Sequence, residues 1–100
     1  MAWNAFYALG IVAVHDGRYD EAASWFGKAG QANSSSVGIL LYAKACALAL
    51  AGRLDEAATA AKQAMEVRPG LRMRLLSETG MAPSIAARFI EGARLLALPE

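Results

Sequence analysis

Apolar residues recur along this chain at helical intervals, and short polar breaks containing glycine divide them into segments. From Trp3 to His15, the residues Phe6, Leu9, Gly10, Ala13 and Val14 share one stripe, which predicts an amphipathic helix. It should stop at Asp16-Gly17, because glycine enters the left-handed region that closes a helix C-terminus without steric cost. A second helix follows with Asp20 and Glu21 in its first turn, where negative charge complements the unpaired amides and the dipole. Ala22, Phe26 and Ala29, at i, i+4 and i+7, would face the first helix. Gly30 to Ser36 is small and polar and reads as a loop, one of whose serines caps the next helix. Leu41, Ala45, Leu48 and Ala49 mark a third helix that ends before Gly52. Leu54 to Val67 is a fourth, with Ala57, Ala61 and Ala64 on its inner face and Pro69-Gly70 as its stop. Leu71 to Ser77 reads as a short helical stretch and Thr79 to Pro83 as a turn. A last helix from Pro83 to Leu96 starts on proline and carries Ile85, Phe89, Ala93 and Leu96 on one stripe.

Within this pattern Gly17-Arg18-Tyr19-Asp20-Glu21-Ala22-Ala23 returns 35 positions later as Gly52-Arg53-Leu54-Asp55-Glu56-Ala57-Ala58. A spacing in that range is the signature of a repeat protein, whose units bury their apolar faces by stacking on neighbours. The expected fold is all-α, a single domain over residues 1–100. Its parts are repeat 1 at 3–36, repeat 2 at 38–70 and a divergent pair of capping helices at 71–98.

Composition narrows the chemistry more than it identifies it. The 56% hydrophobic share contains much alanine, a strong helix former that lets helices approach closely. The formal net charge is +1, too small to argue for nucleic acid or an anionic membrane surface. Cys46 is the one cysteine and His15 the one histidine, so neither an internal disulfide nor a metal site of the Cys/His kind is available. A reducing cytoplasm fits that usage, and no cofactor is expected. Residues 5–14 lack the preceding positive charge of a secretory signal. The longest other apolar run, Val37 to Gly52, is interrupted by Lys44 and is shorter than the roughly 20 residues that cross a bilayer.

These residues resemble the tetratricopeptide repeat family, whose pattern of about 34 residues places glycine, an aromatic and alanine at the hairpin turn and on the inner face. In the first unit Phe6, Leu9, Gly10, Gly17, Tyr19, Ala22, Phe26 and Ala29 match the family's positions. The second keeps Leu41, Gly52, Leu54, Ala57, Ala64 and Pro69. It departs with Ala45 at the small glycine position, Leu48 at the aromatic and Ala61 at the large residue of the second helix. The resemblance covers residues 3–71 and implies a right-handed α-α superhelix of antiparallel hairpins, two units followed by the divergent pair. The tail, from Pro83 through Phe89, Ile90, Glu91 and Gly92 to Leu96, Leu98, Pro99 and Glu100, looks like the closing helix of such regions in bacterial signalling proteins. There the array often follows an adenylate cyclase or winged-helix domain. Ala82 stands where that group commonly has a capping Asp, and no cyclase or DNA-binding residue carries over.

The resemblance also implies where a partner would lie. Family ligands occupy the concave face of the first helices of each unit, which maps here to Asn4, Tyr7, Ile11, Ile39, Tyr42 and Cys46. The face lacks the convergent Lys and Arg of a terminal-carboxylate clamp, so an apolar segment of another protein is the expected ligand. Tyr7, Ile11 and Tyr42 are read more readily as packing between helices, and Cys46 as a small buried hydrophobe. Trp25 has two open placements, the outer face or the loop before Ser36. His15 beside Asp16 fits favourable charge at a helix C-terminus better than acid/base catalysis. Arg68, Arg72 and Arg74 read as a solvated face. No nucleophile, base and orienting group come together, so a non-catalytic interaction module is expected. The alternative is a regulatory segment of a larger protein that forms a homodimer through the apolar N-terminal end of Trp3, Phe6 and Tyr7.

Overall fold

A computed structural model describes residues 2–33, 37–69 and 83–96, with side chains described from Ala5 onward. These residues form α1 (Ala2–His15), α2 (Tyr19–Ala32), α3 (Val37–Leu50), α4 (Leu54–Val67) and α5 (Pro83–Leu95). No strand occurs among them, so the all-α expectation holds.

The two recurring turns have the same physical cause. Gly17 has φ +77° and Gly52 φ +83°, a region open to glycine and strained for other residues. The amide of Gly17 donates to the Val14 carbonyl at 3.1 Å and that of Arg18 to Ala13 at 2.8 Å. Gly52 and Arg53 do the same to Ala49 and Leu48 at 3.0 and 2.9 Å. This double closure satisfies the carbonyls that a helix end leaves without partners. Each following helix then begins on acids, Asp20 and Glu21 in α2, Asp55 and Glu56 in α4. The far ends also repeat, since the amides of Asn33 and Arg68 return to Ala29 and Ala64 at 3.0 and 2.9 Å.

Helices α1 and α2, joined by Asp16–Arg18, pack on each other: Phe6 stacks on Trp25 with centroids 5.9 Å apart, while Gly10 lies under Phe26. A Cβ on Gly10 would fall 2.5 Å from the Phe26 ring, so glycine there is what admits the phenylalanine. Both α4 and α2 pack on α3, and the side of α4 that faces α3 is built of small residues: Ala57, Ala60, Ala61 and Ala64 are all buried. Helix α5 packs chiefly on α3, with a smaller contact on α1. Thus α3 sits at the centre, buried from Tyr42 through Ala49 except at Lys44.

Three expectations need correction. Gly30 to Ala32 belong to α2 rather than to the loop, because Gly30 is buried against Leu40 and Val37 and that packing outweighs its low helix propensity. Leu9 does not share the inner stripe; it is 43% exposed while Gly10, Ala13 and Val14 are buried. Helix α5, expected to close the stack beyond the fourth helix, lies across α3 and α1 instead. The capping serine of 34–36, the helical stretch 71–77 and the turn 79–83 fall outside the described residues.

Candidate functional site

The strip expected to hold a ligand is divided by the fold. Tyr7, Ile11 and Ile39 are half-buried, whereas Tyr42 is 1% exposed and Cys46 0%. The Asn4 side chain lies outside the described residues. The placement of Tyr42 and Cys46 on a ligand face is therefore corrected in favour of the packing reading, with α5 lying against Cys46. A Cβ on Gly92 would come 2.6 Å from the Cys46 carbonyl oxygen and 3.0 Å from its Cα, so the two backbones touch. Phe89, fully buried, meets the Phe26 ring at 5.8 Å between centroids, and Tyr7 meets Phe26 at 5.9 Å. Arg88 donates from Nη1 to the Tyr19 hydroxyl at 2.6 Å. A helix held by a buried aromatic, a backbone contact and a charge-assisted hydrogen bond is part of the core.

Of the remaining repeat positions, the alanines act as packing. Ala22, Ala29, Ala57 and Ala64 are completely buried, Leu54 is 48% exposed, and Pro69 is exposed beyond the end of α4. Trp25 lies against α1, stacked on Phe6 with the Lys28 ammonium 4.7 Å from its ring centroid. That arrangement adds cation–π attraction at a half-exposed site.

Titratable groups are mostly at the surface. His15 Nδ1 and Asp16 Oδ1 are 3.2 Å apart at the end of α1, and Arg18 bridges Asp16 at 3.1 Å and Glu21 at 2.6 Å. The hydrogen bond from His15, then that from Arg18, hold the Asp16 carboxyl below its ordinary range. All three of those side chains are about half exposed or more, which fits a solvated cluster. Arg53 links the units, reaching Asp20 of the first at 3.3 Å and Glu56 of its own at 3.5 Å. Burial pushes the Cys46 thiol up to about 12, so it is a protonated core residue at neutral pH. Among the described residues no group of His, Cys, Asp and Glu is placed to hold a metal ion. No described helix is long and apolar enough to cross a membrane. The clefts between α2 and α3 are open and shallow, floored by Gly27, Gly30 and the stem of Lys44.

The feature that sequence reasoning missed is on α1. Shifting by the 35-residue repeat pairs Ala5, Ala8 and Val12 with Leu40, Ala43 and Ala47. The α3 residues are buried at 1% exposure or less. On α1 Ala5 and Ala8 are exposed, and Val12 is 51% exposed beside Leu9. The signal was present in the register of the repeat, which assigns these positions to an interface between units. In comparisons with known proteins, no family model matched the chain, and no curated protein or solved structure matched it significantly.

Proposed function

We propose that this chain is a non-catalytic protein-interaction module of the tetratricopeptide kind, two units in a right-handed superhelix, and that its docking surface is the uncovered face of α1. One observation carries the reading: Ala5, Ala8 and Val12 stand exposed, with the exposed Leu9 beside them, where the counterparts Leu40, Ala43 and Ala47 on α3 are buried. Solvent-facing aliphatic residues grouped on one helix side, at positions built for a helix neighbour, favour docking of a partner helix. The middle of the strip centred on Tyr42 and Cys46 is unsuited to a ligand, because displacing α5 would uncover Phe89 and Phe26. The alternative, self-pairing of a segment of a larger protein through Trp3, Phe6 and Tyr7, is less favoured, because Phe6 stacks on Trp25 and Tyr7 meets Phe26 within the fold, both half-buried.

The test is a photoreactive residue placed at 12, compared with one at 87 on the exposed side of α5. The reading expects cross-linked partner only from 12, and loss of binding of that purified partner by Val12→Glu. Cross-linking from 87 alone, or full binding by Val12→Glu, would overturn it and return attention to the α5 side.

A further inference from the structure

We infer that the occupant of the α1 face is helix α4 of a second copy of this chain, so that copies add head to tail and continue the internal stack. The inference rests on the docking surface proposed above and names what fills it. Among the described residues α1 and α4 each expose positions that correspond to one half of the interface between α2 and α3. On the α3 side Leu40, Ala43 and Ala47 are buried, while their α1 counterparts are open. On the α2 side Ala23 is 3% exposed, while its counterpart on α4, Ala58, is exposed. One chain thus presents both members of a contact that it already makes once internally.

The exchange at Gly30 is size-compensated. Inside the chain Gly30 sits 3.6 Å from both Leu40 and Val37, measured from the position of an added Cβ. Carried 35 residues along, α4 offers Met65 in place of Gly30, while α1 offers Ala5 in place of Leu40. A large residue against a small one replaces a small one against a large one. At a second position the Lys44 stem lies 3.7 Å from the position of a Cβ on Gly27, and the corresponding pair between copies is Leu9 against Lys62, with the lysine on the other helix and an aliphatic side chain in place of the glycine. Complementary volumes are what close packing of two helices requires. Because the contact joins different surfaces, it propagates instead of closing on a dimer.

The experiment is sedimentation analysis of the intact chain and two variants, Val12→Glu and Ala58→Glu, each changing an exposed position and checked for helix content by circular dichroism. The unmodified chain should gain average mass steadily from micromolar to millimolar concentration. Each variant alone should stay at the mass of one chain, since one end is blocked. Mixed one to one, the two should form a dimer and nothing larger, because each supplies the end the other lacks. A chain that stays monomeric throughout overturns the inference, as does a mixture that stays monomeric. Association retained by Ala58→Glu but lost by Val12→Glu also overturns it, in favour of α1 pairing with α1. A monomeric chain that still cross-links a different protein from position 12 sinks this inference alone. The docking-surface reading itself falls on cross-linking from 87 alone.

Discussion

The two hairpins share a turn, a length and a helix-start chemistry, yet they are packed by different means. The α1–α2 pair is filled by aromatics: Phe26 over Gly10, with Tyr7 and Phe89 against it and Phe6 on Trp25. The α3–α4 pair is filled by Ala57, Ala60, Ala61 and Ala64 against Ala45, Leu48 and Ala49. In register, Ala61 replaces Phe26 and Ala45 replaces Gly10. One pair meets through a large residue in a glycine notch and the other through small residues on both sides. The second arrangement leaves α3 free to accept neighbours all round, and α2, α4 and α5 all pack on it. Helix α1 receives α2 and a smaller contact from α5, which is why its Leu9 and Val12 remain in solvent.

If this contrast is real, truncation should hurt the first unit far more than the second. Phe26→Ala removes a fully buried ring from three aromatic and glycine contacts, and a loss of about 3–5 kcal/mol is expected in chemical denaturation. Ala61→Gly should cost about 1 kcal/mol, the helix-propensity difference with a small loss of buried methyl. Equal losses at the two positions would erase the distinction between the hairpins.

A smaller effect separates two glycines that sequence alone treats alike. The Cβ of Gly92→Ala meets the Cys46 backbone at 2.6 Å, so α5 must shift off α3 and about 1–3 kcal/mol should be lost. At Gly30 the new methyl would lie 3.6 Å from Leu40 and Val37, an ordinary contact. Gly30→Ala should therefore be neutral or stabilise α2 by up to about 1 kcal/mol. Thermal melts of the two variants check the pair, and a harmless Gly92→Ala would mean that α5 is not seated against α3.

Cys46 sharpens the same seat through pH. The unfolded thiol loses its proton near pH 9.0, and the folded one, held protonated by burial, only at about 12. Below pH 9 both states keep the proton and the native chain carries no penalty. Between 9 and 12 the unfolded chain binds fewer protons, so stability falls as pH rises, by up to about 1.4 kcal/mol per unit. Cys46→Ala removes that slope and should gain on the parent chain across this window, while their difference stays constant below it. Denaturation of both proteins from pH 7 to 10.5 measures the effect, and parallel curves would place Cys46 in contact with water.

Helix boundaries were largely legible because their causes are local. Gly17 and Gly52 end their helices through backbone freedom, acids start the next ones, and the predicted Leu54–Val67 is the observed α4. What was illegible depends on which element lands where. The inner stripe of α5 was readable as Ile85, Phe89 and Ala93, all buried, but nothing in its spacing says that it lies against Cys46. Gly30 was misread because a glycine beside polar residues looks like a break until Leu40 and Val37 are known to sit on it. The exposure of Val12 was recoverable by shifting the repeat onto itself, a comparison of positions that helical periodicity within α1 does not make.

The least costly break in the comparison concerns why α5 touches unit 1 at Tyr19. The corresponding residue of unit 2 is Leu54, which is 48% exposed and has no hydroxyl to offer. The Arg88 hydrogen bond to Tyr19 thus exists on one hairpin alone, and at 2.6 Å it is short and carries the charge of the guanidinium. Because Arg88 is only part-buried, solvent competes for its donors, and Tyr19→Phe should cost about 0.5–1.5 kcal/mol. Arg88→Met should cost a similar amount while keeping the aliphatic stem. The double variant should lose less than the sum of the two, since the second change has no bond left to remove. A sum that is fully additive would show that α5 is positioned by Phe89 and the Gly92 backbone contact alone, with the polar pair formed only after the helix is in place.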